Sequence, residues 1–457
     1  MAGMNLLEVT FMSWRGILKV SVIGFLGLIL SIALVVVKET VSERSQRREQ
    51  VYQDMARTTA GSQVLAGPIL VLPYELQSLS TTVDEKGVRT SKLDATQHMK
   101  FILPRHLTMD GRIQTERRYR SLYEILLYGT QLKLEGDFVF SAPDVSVPQG
   151  STLRWHKPYL VVLVQDSRGL TTIPALTWNG KNQAVQPGHR ALNFGVEGGF
   201  HAELPADVQA GGQFTFAVDL VLHGMQSLSW IPVGEESRVK LQSNWPHPSF
   251  QGRALPRHHR ITSEGFDAEW ESTHFSTNIA QLISESTAGA SLQAQEIGVK
   301  LIQPVDIYLQ TERSVKYGFL FIALTFASFL VFETLKRLSI HPVQYGLVGL
   351  ALVLFYVLLL ALSEHMAFAW AYALASLASV SLLGFYVRYV VQTWARSLGF
   401  ALALALLNVV IYGILMSEDY ALLYGACLLF ALLAFAMIVT RRVNWNDWSG
   451  DADILSR

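Results

Sequence analysis

Half of the 457 residues are hydrophobic and only 16% are charged, with 37 basic and 37 acidic residues in balance. This composition points away from a soluble enzyme and toward a membrane protein, and it offers neither a basic patch for nucleic acid nor an acidic tail. A single cysteine, Cys427, excludes a disulfide framework and a cysteine-ligated zinc site.

The apolar residues are unevenly spread. Residues 1–15 are expected to form a short cytoplasmic N-terminus. Residues 16–37 then have the length of a transmembrane helix. The run ends "ALVVVKET", with bulky valines where a cleavage site needs small residues, so it reads as an uncleaved anchor. Residues 38–60 are rich in Glu, Gln and Arg and lack Gly and Pro, which predicts a polar juxtamembrane helix continuing from the anchor.

Residues 61–314 have the composition of a soluble domain long enough for its own core. "GPILVLPYE" (67–75) reads as a strand bounded by prolines. In "QFTFAVDLVLHG", Phe214, Phe216, Val218, Leu220 and Leu222 fall at every second position, as on a sheet with one buried face. "QLKLEGDF" and "KPYLVVLVQDSRGL" are similar. The domain is expected to be mostly β, a sandwich or two packed sheets. Helix is expected near "SLYEILLYG" and in "STNIAQLISE".

Five further spans are predicted within residues 315–440, at about 315–335, 343–362, 367–387, 398–416 and 420–440, with a cytoplasmic tail at 441–457. The connections are short, and their charge alternates. Lys336 and Arg337 mark one turn, Arg388 and Arg396 another, and Arg441 and Arg442 the C-terminal flank. The intervening turns read "SEH" and "SED". Because basic loops stay in the cytoplasm, these six cations are expected to anchor the cytoplasmic face. Lys38, Arg44, Arg47 and Arg48 argue the other way, but long domains translocate largely regardless of flanking charge. The expected fold is therefore an α+β membrane protein. Six transmembrane helices, one N-terminal and five C-terminal, carry a large mostly-β domain inserted between helices 1 and 2. That domain faces outward, which is the periplasm in a Gram-negative cell.

No H-E-x-x-H, G-x-S-x-G, P-loop or G-x-G-x-x-G pattern occurs. His258 and His259 are adjacent and would point to opposite faces of a strand, so they do not suggest a metal site. No cofactor, metal or catalytic residue is expected. "WPHPSF" offers a candidate recognition loop, formed by Trp245, Pro246, His247, Pro248 and Phe250; the plainer reading has Trp245 and Phe250 plugging the core. In the bundle, Asn408 is the polar residue near the midplane and suits a hydrogen bond between helices. Ala367, Ala371, Ala375 and Ser379 form a stripe for close helix approach. Glu333 is placed to pair with Arg337 one turn away, and His341-Pro342 to end one helix and start the next.

"SERSQRREQVYQDMARTTAGSQVLAGPILVLPY", "RVKLQSNWPHPSFQGRALP", "EGFDAEW", "DIYLQTERSVKYGFLFIALTFASFLVFETLKRLSIHPVQYGLVGLALVLFYVLLLALSEHMAFAWAY", "EDYALLYG" and "TRRVNW" together resemble the CreD family of bacterial inner-membrane proteins. The resemblance covers nearly the whole chain, up to about Trp445. It implies an envelope-integrity protein of the Gram-negative inner membrane, linked to a two-component system, to colicin tolerance and, in some bacteria, to β-lactam responses. It transfers no catalytic residues. The expected function is thus non-enzymatic envelope maintenance, with the lipid bilayer and an unidentified envelope protein, lipid or peptidoglycan component as partners. The alternative is a membrane enzyme or transporter acting on a lipid or cell-wall precursor, which would need a cleft of converging ionisable groups.

Overall fold

One helix, α1, runs unbroken over Trp14–Thr58, 45 residues, or about 68 Å at the usual rise. Its first half is apolar and its second half polar. The computed structural model describes residues 14–83, 89–190, 194–284, 292–303, 307–336, 340–391, 393–417 and 420–440. The chain divides into two compact units, one of residues 1–48 with 305–457 and one of residues 49–304.

The first unit is helical. After α1 it contains α2 (Ile307–Lys336), α3 (Pro342–Ser363), α4 (Phe368–Val391), α5 (Trp394–Met416) and α6 (Ala421–Thr440). Among the described residues, four stretches are long and apolar enough to cross a membrane: Ser21–Thr58, Pro342–Ser363, Phe368–Val390 and Trp394–Met416. α2 starts at Ile307, ahead of the expected residue 315, and the β-rich unit spans residues 49–304 rather than 61–314. The early start escapes a hydropathy reading because polar side chains are hidden there. Thr311 and Ser314 are buried, and the Thr311 hydroxyl donates to the Ile307 carbonyl at 2.6 Å.

Residues 341 and 342 begin α3 as their types require. The His341 ring accepts from Val343 N at 3.3 Å, the Gln344 side chain accepts from His341 N at 3.2 Å, and Pro342 occupies the first turn. Two glycines let α1 approach. Leu34 of α1 lies over Gly318 of α2, and Leu30 lies over Gly349 of α3. A Cβ built at Gly318 would sit 3.1 Å from Leu34, and one at Gly349 would overlap Leu30. The small-residue stripe of α4 is buried at Ala371, Ala375 and Ser379, while Ala367 is exposed.

The second unit packs a nine-stranded sheet against an eight-stranded one. The long strand Gln63–Val83 organises the first sheet. It pairs in parallel with Ser227–Ile231 and antiparallel with Arg89–Ile102, Ser151–Trp155 and Tyr159–Val164. All six residues of Tyr159–Val164 are buried, so that strand reads as a continuous apolar run. The second sheet is built on His106–Arg120, Tyr123–Ser141 and Gly211–Met225. Along Gly211–Met225, Phe216, Val218, Leu220 and Leu222 are buried at alternate positions, as the sequence pattern anticipates. Rings fill the space between the sheets: Trp230 of the first meets Trp270 of the second edge-on at 4.7 Å.

The helix expected at "SLYEILLYG" is a strand. Ser121 and Leu122 form a tight turn, with Ser121 at φ 58, and Tyr123 pairs with Arg120. The spacing of Leu, Ile and Tyr there is compatible with a helix. Backbone partners on both sides, His106–Arg120 and Gly211–Met225, decide for the sheet. "STNIAQLISE" holds the short helix Ile279–Ser284 and the end of another, His274–Thr277.

The glycine contacts generate a stability test. Gly349→Leu should force α1 off α3, at a cost of about 1–3 kcal/mol typical of overpacking. Gly413→Ala, where nothing lies within 4 Å of the added atom, should be silent. Thermal unfolding followed by helical circular dichroism in nanodiscs, on the full chain, checks both.

Candidate functional site

By sequence, the ionisable groups of the bundle fall at helix ends, with the cations as face anchors and Glu333 paired to Arg337. The structure gathers several of them into two clusters. Glu333 of α2 is buried and pairs with Lys19 of α1. It also accepts from the Tyr345 hydroxyl of α3 at 2.9 Å and from the Ile340 backbone N–H at 3.1 Å. At the other end of the same helices, Glu364 accepts from the Tyr308 hydroxyl at 3.2 Å and lies 3.8 Å from the Arg44 guanidinium. The Arg48 guanidinium sits over the Tyr308 ring at 5.3 Å. Both clusters therefore draw on α1, α2 and α3. Lys19 and Arg44 are separated by about 38 Å of helix, against a hydrocarbon thickness of about 30 Å and a total of about 40–45 Å.

Glu333 thus has Lys19 as its partner, from the far end of the sequence. Arg337, expected as its partner, lies outside the described residues, as do Arg441, Arg442 and the side chain of Lys336. Of the expected face markers, Arg388 stacks on Trp394 at 3.6 Å, and Arg396 is exposed. Asn408 is buried; its backbone carbonyl accepts from Tyr372 at 3.0 Å, its side-chain oxygen accepts from Ser376 at 3.4 Å and Tyr372 at 3.5 Å, and its side-chain N–H donates to the Leu404 carbonyl at 3.0 Å. It therefore contributes to a bond between α4 and α5.

The structure divides the candidate recognition loop. Trp245 is buried, and its ring N–H donates to the Ile302 carbonyl at 2.9 Å. Phe250 lies in the strand Pro248–Gly252, 5.6 Å from Trp270 and 5.8 Å from Phe266. Both rings pack: Trp245 belongs to the buried core cluster, and half-buried Phe250 lies against it. Pro246 and Pro248 are half-buried, and His247 is exposed. His258 and His259 are both exposed on the strand His258–Thr262. Among the described residues no cluster of His, Cys, Asp or Glu has the arrangement of a metal site.

A second built feature joins α1 to the sheets. Arg168 donates to the carbonyls of Ala56 and Arg57 at the end of α1 and to Asp166. Asp166 also accepts from Gly61 N at 3.2 Å. Burial pushes the Asp166 carboxyl up, but the Arg168 side chain and the N–H groups of Gly61 and Arg168 outweigh it and hold it below its usual value. Fully buried Gln63 donates to the carbonyls of Asp166 and His223. Beside this junction runs an open groove of about 670 Å³, lined by Arg112, Gln114, Glu116, Arg118, Arg168 and His223 among others. Neither His247 nor His258 lines it. Sequence reasoning missed this junction and the Lys19–Glu333 pair. The one local signal was a carboxylate set in the apolar run "FLVFETL".

Long apolar helices joined to a two-sheet unit with its own core define an integral membrane protein carrying a large β-rich domain. The chain belongs to the CreD family: the family profile described as "Inner membrane protein CreD" matches residues 15–446. It is 36% identical over 426 residues to "Inner membrane protein CreD" of Escherichia coli (strain K12), covering 92% of each chain. Among solved structures, two M1 zinc metallopeptidase structures from Deinococcus radiodurans match 37% of this chain. They cover 39% and 40% of those chains, at 9% and 10% identity and a TM-score of 0.17. Overlap at that level carries no argument about fold or chemistry.

Two expected outcomes follow for stability. Lys19→Met should destabilise the bundle by about 3–5 kcal/mol, because it strands the buried Glu333 carboxylate; Glu333→Gln should cost less, because the Lys19 side chain it leaves behind is a quarter exposed; replacing both with apolar residues should recover most of the loss. A double-mutant cycle on the full chain in nanodiscs reads this. In the second unit, Trp245→Ala should cost about 3–5 kcal/mol, whereas His247→Ala should stay within about 0.5 kcal/mol, as measured by thermal melting.

Proposed function

We propose that this chain is a non-enzymatic protein of the bacterial inner membrane that supports the cell envelope. In this reading six spans hold the β-rich unit on the periplasmic side, with both termini in the cytoplasm. The unit binds an envelope component, whether protein, lipid or peptidoglycan, and expression is coupled to a two-component system, as the family resemblance implies. The observation that carries the reading is the alternation of charge at the helix connections. Arg388 and Arg396 flank the α4–α5 connection, whereas Glu364 and His365 lie in the α3–α4 connection, where there is no Lys or Arg. The two-sheet unit supports a binding role: its core is filled by side chains and its grooves are open. The exposed part of the Trp245–Phe250 segment, His247 between its prolines, is the recognition element in this reading.

Two measurements in living cells test it. An export-dependent reporter inserted at the exposed turn around Gly150 should be active, and the same reporter at the C-terminus should be silent. The reverse pattern would sink the topology. A photo-crosslinker at residue 247 should capture a discrete envelope species. Recovery of a small precursor that has been chemically altered would replace the binding reading with the enzymatic one.

A further inference from the structure

The hairpin joining His106–Arg120 to Tyr123–Ser141 ends in "RRYRSLY" (117–123). Its crown is unusual for a surface turn. Tyr119 is 68% exposed and Leu122 is 49% exposed. Arg117, Arg118 and Arg120 are their neighbours in the chain, and all three are exposed. Several of its side chains have partners. Tyr119 donates to Glu124 at 3.2 Å, Arg117 pairs with Glu124 at 3.3 Å, and Arg118 makes two bonds to Glu116. The Arg117 guanidinium also covers the buried Trp245 ring at 5.4 Å. Arg120 has no ion-pair partner among the described residues.

Its place in the unit is specific. The Tyr52 hydroxyl of α1 donates to the Glu124 carbonyl at 2.9 Å and lies 3.1 Å from the Gln303 side-chain oxygen. Tyr52 and Gln303 are the points where the chain leaves this unit. From Tyr52 the chain runs back along α1 to the apolar turns, and from Gln303 it reaches α2 within a few residues. The crown thus lies at the edge beside Tyr52 and Gln303, near both points where the chain leaves the unit. Ile302, 41% exposed, and exposed His247 belong to the same edge, and the Ile302 N–H donates to the His247 carbonyl at 3.1 Å.

We propose that this edge is a lipid-contact surface. Tyr119 and Leu122 enter the headgroup layer of the bilayer that holds α1, and Arg117, Arg118 and Arg120 bind the phosphates of anionic lipids there. Tyrosine suits that layer because its ring is apolar and its hydroxyl polar. Guanidinium groups match phosphate oxygens in pairs, and a cluster of them senses an anionic surface. A protein partner would cover the same residues without needing them beside both tethers. The contact does not depend on which side of the membrane the unit occupies, so it stands or falls separately from the proposed topology.

The test uses the full chain in nanodiscs, with Cys427→Ala and a nitroxide attached at Leu122→Cys. Tyr119→Cys serves as a second position and Ile173→Cys, 87% exposed elsewhere on the unit, as the reference. Electron paramagnetic resonance compares collisions with lipid-soluble oxygen and with a water-soluble nickel chelate. In phosphatidylglycerol discs, both crown labels should favour oxygen several-fold over the Ile173 label. That preference should shrink when phosphatidylcholine replaces phosphatidylglycerol. Replacing Arg117, Arg118 and Arg120 with Gln should abolish the difference between the two lipids. Crown labels as open to nickel as the Ile173 label in both lipids would overturn the proposal. So would labels shielded from both reagents in native membranes, which would mean a protein covers the edge.

Discussion

A buried carboxylate holds the helical unit in register. Glu333 has no place among the apolar residues of α2 unless its charge is met, since stranding one in a helix bundle costs several kcal/mol. Lys19 supplies the countercharge, and Tyr345 and the Ile340 N–H supply further donors. These partners come from α1, from α3 and from Ile340, two residues ahead of α3. Satisfying one group therefore fixes three helices together. Glu364, with Tyr308 and Arg44, repeats the arrangement at the opposite end. Between the two clusters, among the described residues, α1 meets its neighbours by packing, with Leu30 and Leu34 over Gly349 and Gly318. In lipid no hydrophobic force drives helices together, so close fit and polar contacts must do so.

The β-rich unit is stabilised differently. It has no disulfide, and its two sheets are held by a core of aliphatic and aromatic side chains, from Leu65 through Leu301. The entry of α1 is secured by polar contacts. Arg168 covers the carbonyls at the helix end, Asp166 holds Arg168 and Gly61, and Gln63 joins two carbonyls beneath them. The end of a helix leaves carbonyls without intrahelical partners, and a guanidinium is well suited to meet them. A long membrane helix thus ends in a network belonging to the sheets.

Much of this was legible in sequence. Alternation in Gly211–Met225, the apolar run at Tyr159–Val164 and the long apolar helices all follow from local periodicity. His341-Pro342 was readable as a helix start because a cap is a local feature. The errors share a cause. "SLYEILLYG" has a spacing compatible with a helix, and strands distant in sequence settle its state. Glu333 has a plausible partner one turn away, but its described partner is 314 residues off. The Trp245–Phe250 segment looked distinctive because proline and aromatic residues cluster there, whereas its rings pack into the core. Local patterns reveal elements; the contacts that hold this protein's elements together are mostly non-local.

If the two charge clusters on α1 lie at the two faces of the membrane, single cysteines placed from Leu18 to Arg48 in a Cys427→Ala background will report it when probed in sealed vesicles with a membrane-impermeant maleimide. Positions between Lys19 and Arg44 should be unreactive, and the flanks should react from opposite sides. Reaction of both flanks from the same side, or free reaction along the interior positions, would contradict the account.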